Sequence, residues 1–156
     1  RGTGRSGAGG YGSTTQDAVY AYETALDQPQ IDPRRAVILA QSEASLMLGE
    51  SYGLFARVQP PLGVILAGNM LPPSGITAID TRVQVLVGEN DWFDWHSYAR
   101  DAVAAHNGTY NHGATFYVAQ DANRMLLVDK NDNLAVHFGA MKFIRDWLQD
   151  LCPPSQ

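Results

Sequence analysis

The chain has 156 residues, enough for one domain with its own core, and its 45% apolar and 17% charged residues are proportions of a globular protein. A formal net charge of -5 leaves no basic stripe to neutralise phosphates, so nucleic acid is excluded as an expected partner. No apolar run is long enough to span a bilayer, and a single cysteine, Cys152, excludes both an internal disulfide and a cysteine-based zinc site.

In chain order, residues 7–12 form a glycine-rich lead and residues 14–27 a helix. Ser13 or Thr14 is its N-cap, and Ala18, Tyr22, Ala25 and Leu26 share one face. A turn containing Pro29 and closed by Pro33 precedes Ala36-Val37-Ile38-Leu39, apolar throughout, as a strand covered on both faces should be. A helix over 45–57, punctuated by Gly49 and Gly53, leads through Pro60-Pro61 to a buried strand over 62–67. Residues 69–80 carry two prolines and a glycine and read as a loop. A strand over 83–87, a helix over 95–105 and a strand over 115–119 come next. The last helix is expected over 134–151, with Phe138, Met141, Ile144, Arg145 and Leu148 at helical spacing. Strands alternating with helices, without hairpin signals, imply parallel strands joined by right-handed crossovers. The expected fold class is therefore α/β: one parallel β-sheet, its strands in sequence order, flanked by helices on both faces. It makes a single domain over 1–151 with a tail at 152–156, where Cys152 beside Pro153-Pro154 reads as a surface thiol.

The chemistry centres on Ser42. The apolar strand ends on it, a helix follows, and the residues two before and two after, Ala40 and Ala44, are small. That is the layout of a nucleophile elbow, in which a sharp strand-to-helix turn strains the serine and brings neighbouring backbones close. The alternative is a strand-end serine that caps the next helix. Asp91 follows the 83–87 strand and Gly88, where an acid could orient a base; Glu89 and Asp94 are nearby rivals, and a solvated loop acid or helix cap is the plain alternative.

Three stretches in this order resemble the α/β-hydrolase family. Arg1-Gly2-Thr3-Gly4-Arg5-Ser6-Gly7 is similar to its R-G-x-G-x-S-G loop, and Gly88-Glu89-Asn90-Asp91 to its G-x-x-D turn. Ala122-Asn123-Arg124-Met125-Leu126 looks like the A-N-H-M-L turn that delivers the triad histidine. The resemblance covers nearly the whole chain. It implies a partial α/β-hydrolase fold, lacking the N-terminal strands and a lid, and a serine hydrolase acting on an ester or small amide. Ser42 would be the nucleophile, Asp91 the acid, and the backbone N–H of Glu43 one oxyanion donor; the second donor comes from a loop on an earlier strand.

The histidine position holds Arg124, which presents only donors and cannot take a proton from Ser42. It could pair with Asp91 instead, or sit at the surface beside Asp121 or Asp129. His137, near the start of the last helix, is the first substitute base, ahead of His96, His106 and His112. No two histidines stand at a metal-binding helical spacing with an acid, and neither a metal nor another cofactor is expected. The alternative function is a non-catalytic hydrolase-like binding or scaffold module. With the earlier strands absent, the elbow strand would lie at or near a sheet edge and invite edge-strand association.

Overall fold

The computed structural model describes residues 14–91, 95–130 and 133–153. The glycine-rich lead with its R-G-x-G-x-S-G opening and Ser13, the segment Trp92, Phe93 and Asp94, and residues 154–156 lie outside the described residues.

Four strands, β1 (Val37–Gln41), β2 (Gly63–Ala67), β3 (Arg82–Gly88) and β4 (Ala114–Ala119), form one parallel sheet in the order β1-β2-β3-β4. This is the expected sheet in the expected order. The register runs Val37↔Gly63 in the first pair, Gly63↔Arg82 in the second and Val83↔Ala114 in the third. The two middle strands are buried along nearly their whole length, which explains their unbroken apolar runs.

Helices α1 (Thr14–Leu26), α2 (Glu43–Val58), the short α3 (Pro73–Ile76) and α4 (Trp95–Thr109) lie on one face. There Tyr22, Leu48, Phe55, Ile76 and Ala102 meet Val64, Leu66, Val83 and Val85 in one core. Helix α5 (Phe138–Leu151) covers the other face, where Ile144, Trp147 and Leu148 pack with Ile65, Ala67 and Leu86. Gln84 points to that side, and its Nε2 donates to the Phe143 carbonyl at 3.0 Å, tying β3 to α5 inside the core.

Three local expectations are corrected. The expected helix over 134–151 loses its first turn to an antiparallel hairpin, β5 (Leu127–Lys130) and β6 (Asn133–Val136), paired from Leu127↔Val136 to Lys130↔Asn133. The helix starts only after His137, whose Nδ1 accepts the Ala140 N–H at 3.0 Å as the N-cap. Its buried stripe is accordingly Ala140, Phe143, Ile144 and Trp147, while Phe138 and Met141 are exposed. The loop over 69–80 contains α3, which opens on proline, favoured in a first helical turn. Helix α2 begins at Glu43, two residues before the expected start.

Gly68 and Gly88 let the turn after β4 settle against the ends of β2 and β3. At Gly68, with φ +59, a Cβ would lie 2.6 Å from the Arg124 carbonyl oxygen. At Gly88 it would collide with the carbonyl oxygens of Ala122 and Asn123. These contacts are with backbone, which cannot swing aside. Gly88→Ala should therefore lower stability by about 1–3 kcal/mol, read from urea unfolding, with the 119–127 turn displaced.

At the opposite edge of the sheet, His106 is wholly buried, and its Nε2 donates to the Ile79 carbonyl at 3.0 Å. Burial holds this imidazole below its ordinary value of 6.5. The unfolded chain then binds a proton near that pH that the folded chain still refuses, so stability is complete above it and falls as pH drops through it. The urea midpoint should decline from about pH 7 to pH 5, and His106→Gln should flatten that decline.

Candidate active site

Parallel strands deliver their following loops to one edge of the sheet, and the three key positions meet there. Ser42 follows β1 directly, Asp91 lies three residues past the end of β3, and Arg124 five residues past β4.

Ser42 has φ 53 and ψ -123, a backbone conformation that glycine enters freely and L-residues rarely. Its N–H donates to the Ala67 carbonyl at 2.9 Å, which ties the turn to β2. Ser45 fixes the turn from the helix side: its hydroxyl donates to the Ser42 carbonyl at 2.6 Å and accepts the Met70 N–H at 3.1 Å. The helix-cap alternative fails on both counts, since a capping serine is extended and its side chain accepts an early helical N–H. Ser42 is not extended, and its side chain makes no cap hydrogen bond. Glu43 is the first residue of α2, where a backbone N–H has no intrahelical partner, so its amide suits the oxyanion role. Its exposed side chain stands at the positive end of the helix dipole.

The Ser42 hydroxyl donates to Met70 Sδ at 3.5 Å. A thioether accepts weakly and cannot take a proton at neutral pH. Arg124 lies against Asp91. Its Nε donates to Oδ1 at 2.9 Å and to Oδ2 at 3.2 Å, and Nη2 stands 2.9 Å from Oδ1. The Asp91 side chain is 1% exposed and that of Arg124 20%. The Arg124 guanidinium also lies 5.6 Å from the centre of the Trp95 ring, within cation–π range. Of the partners weighed for Arg124, the acid of the expected triad is the one it takes. A cavity of about 370 Å³ brings Ser42 and Glu43 together with Asn123, Arg124 and Met125.

The turn carrying Arg124 is organised by Asn123, whose Oδ1 accepts the N–H groups of Met125 and Leu127 at 2.9 and 3.1 Å. Its backbone N–H donates to the Leu127 carbonyl and its carbonyl accepts from Leu126. Glu89, a rival acid, instead accepts the Asp121 N–H through Oε2 at 2.9 Å. Asp94 lies outside the described residues.

His137 is not brought to this cavity. It caps α5 and lines a separate one with Gln120, Asp121, Val128, Asp129, Lys130 and Phe138. His96 Nε2 donates to the Gly88 carbonyl at 2.8 Å, and His112 stands 3.7 Å from Asp80 beside the buried His106. Sequence reasoning missed Met70, Ser45 and Asn123. A serine three residues past Ser42 and an asparagine just before Arg124 are both turn-forming signals. Nothing in the sequence marks Met70.

No protein-family model matches the chain, and no curated protein matches it either.

Breaking the Asp91–Arg124 pair from one side leaves its partner's charge uncompensated inside the fold. Arg124→Met or Asp91→Leu alone should each cost roughly 3–5 kcal/mol. The double variant should lose much less than the sum, which a double-mutant cycle by urea unfolding measures directly.

Proposed function

We propose that this chain is an α/β-hydrolase-type serine hydrolase, built for an ester or small amide, whose turnover is impaired because Arg124 occupies the place of the base. The observation that carries the proposal is the backbone of Ser42. A non-glycine residue held at φ 53 and ψ -123 costs on the order of 1–3 kcal/mol and persists only where its surroundings impose it. A plain strand-to-helix connection has no use for that strain, whereas a nucleophile lifted to the tip of a turn does.

The residues have separable tasks. Ser42 would attack the acyl carbon, the Glu43 amide would hold the developing oxyanion, and Asp91 would orient an imidazole. Arg124 removes the proton acceptor and spends the carboxylate on an ion pair. A general base contributes about 10²–10⁴-fold, and each oxyanion donor about 10²–10³-fold. The second reading, a non-catalytic module that keeps the cleft as a binding site, is favoured by that same ion pair, which neutralises the acid in place.

The unmodified chain should show no saturable p-nitrophenyl ester hydrolysis that Ser42→Ala removes, and should label slowly with a fluorophosphonate probe. Arg124→His supplies a base next to Asp91. It should raise the Ser42-dependent rate by up to about 10²–10⁴-fold where a segment supplying the second oxyanion donor is joined to the chain, and by much less without one. Efficient turnover by the unmodified chain, lost in Ser42→Ala, would defeat the proposal, and His137→Ala would then be the next variant to assay. A folded Arg124→His chain, joined to such a donor segment and still unreactive to the probe, would favour the binding module.

A further inference from the structure

Ser42 is held at its amide, its carbonyl and its hydroxyl, and Ser45 governs the last two. The Ser42 N–H sits on the Ala67 carbonyl at 2.9 Å, so β2 holds the amide. The Ser42 carbonyl accepts twice from Ser45, from its backbone N–H at 2.9 Å and from its hydroxyl at 2.6 Å. With the amide held on one side and the carbonyl on the other, the torsions between them have little room, and φ 53 with ψ -123 is the conformation imposed. The hydroxyl of Ser42 donates to Met70 Sδ at 3.5 Å. Met70 is itself set by Ser45, whose hydroxyl oxygen accepts the Met70 N–H at 3.1 Å. The hydrogen bonds close a ring: Ser42 Oγ to Met70, the Met70 amide to Ser45, and the Ser45 hydroxyl back to the Ser42 carbonyl.

The frame around this ring is stiff. Ser45 lies in the first turn of α2, and it is buried, as is Asn69. Asn69 Oδ1 accepts the Leu71 N–H at 3.0 Å, and Asn69 Nδ2 donates to the Leu71 carbonyl at 3.3 Å, so the loop is braced on either side of Met70. The chemistry at position 45 is specific. A hydroxyl on a one-carbon stem gives a proton to one backbone group while accepting one from another. Alanine offers neither group, and a carboxylate accepts but has no proton to give.

We propose that Ser45 is the positioning residue for Ser42, setting the pitch of the turn through the Ser42 carbonyl and the direction of the side chain through Met70. The use made of that side chain rests on the hydrolase reading, whereas the hold is a property of the fold. Ser45 is not a base for Ser42: its proton lies on the Ser42 carbonyl, and it stands outside the lining of the cavity. Its removal changes where Ser42 points, not how the proton leaves.

Ser45→Ala keeps its backbone N–H on the Ser42 carbonyl, and so loosens the turn without unfolding it. By NMR the unmodified chain should show the α-to-β proton couplings of one Ser42 rotamer. In Ser45→Ala, and in Met70→Ala, these should average over rotamers while the β3 and β4 amide shifts stay in place. Ser45→Thr keeps a hydroxyl and should keep the single rotamer. Added to Arg124→His, Ser45→Ala should lower fluorophosphonate labelling of Ser42 at least about tenfold with the pH midpoint of labelling unmoved, and Ser45→Thr should not. A single Ser42 rotamer in Ser45→Ala overturns the proposal. So does a folded Ser45→Thr chain that averages as Ser45→Ala does, or labelling of Arg124→His that Ser45→Ala leaves unchanged. An Arg124→His chain that never labels defeats the hydrolase reading instead, and the couplings alone then decide for or against Ser45.

Discussion

The turn after β4 lies so close to the ends of β2 and β3 that no Cβ fits at Gly68 or Gly88, and the carboxyl edge of the sheet is organised around that closeness. Hydrogen bonds from Glu89 to the Ala119 carbonyl and from Asn90 to that of Ala122 zip the loop after β3 onto the same turn. Asp91 and Arg124, 33 positions apart in sequence, are thereby held at contact distance without either having to search for the other. A larger residue at either glycine would part the two loops before it disturbed the core beneath them.

Arginine in such a place behaves differently from histidine. An imidazole accepts at one nitrogen while donating at the other, so an acid behind it can aim it at a hydroxyl. A guanidinium has no acceptor and satisfies itself on the acid, leaving the Ser42 hydroxyl to a thioether. Ser42 and Asp91 stand at one edge of the sheet, and Arg124, which only donates, holds the acid. The cavity there carries a strained serine and a helix amide, with a compensated charge on its wall.

The sheet was legible because each strand is a short apolar run cut off by glycine, proline or an acid, and two of the four are buried on both faces. Strand order followed from alternation with helices alone. The β5–β6 hairpin was hidden for a physical reason. Leu134 and Val136 alternate as strand residues do, but they abut Phe138, Met141 and Ile144, whose helical spacing extends backward without a break. Asn131 and Asp132, turn formers between two apolar runs, were the signal passed over. At the site, Ser42 was marked by small neighbours and Asp91 by its place after a strand. Partnership between Asp91 and Arg124 was one of several open pairings, because ion-pair choice depends on loops whose path no local pattern encodes. The Met70 contact is tertiary in the same sense.

The strained conformation of Ser42 is one that glycine would adopt without steric cost, and the serine side chain gives back only a 3.5 Å contact to a thioether. The turn is therefore a local store of conformational energy, pinned by the Ser42 N–H on the Ala67 carbonyl and by the Ser45 hydroxyl on the Ser42 carbonyl. Loosening either bond would let this one turn relax while the strands beneath it keep their ladder.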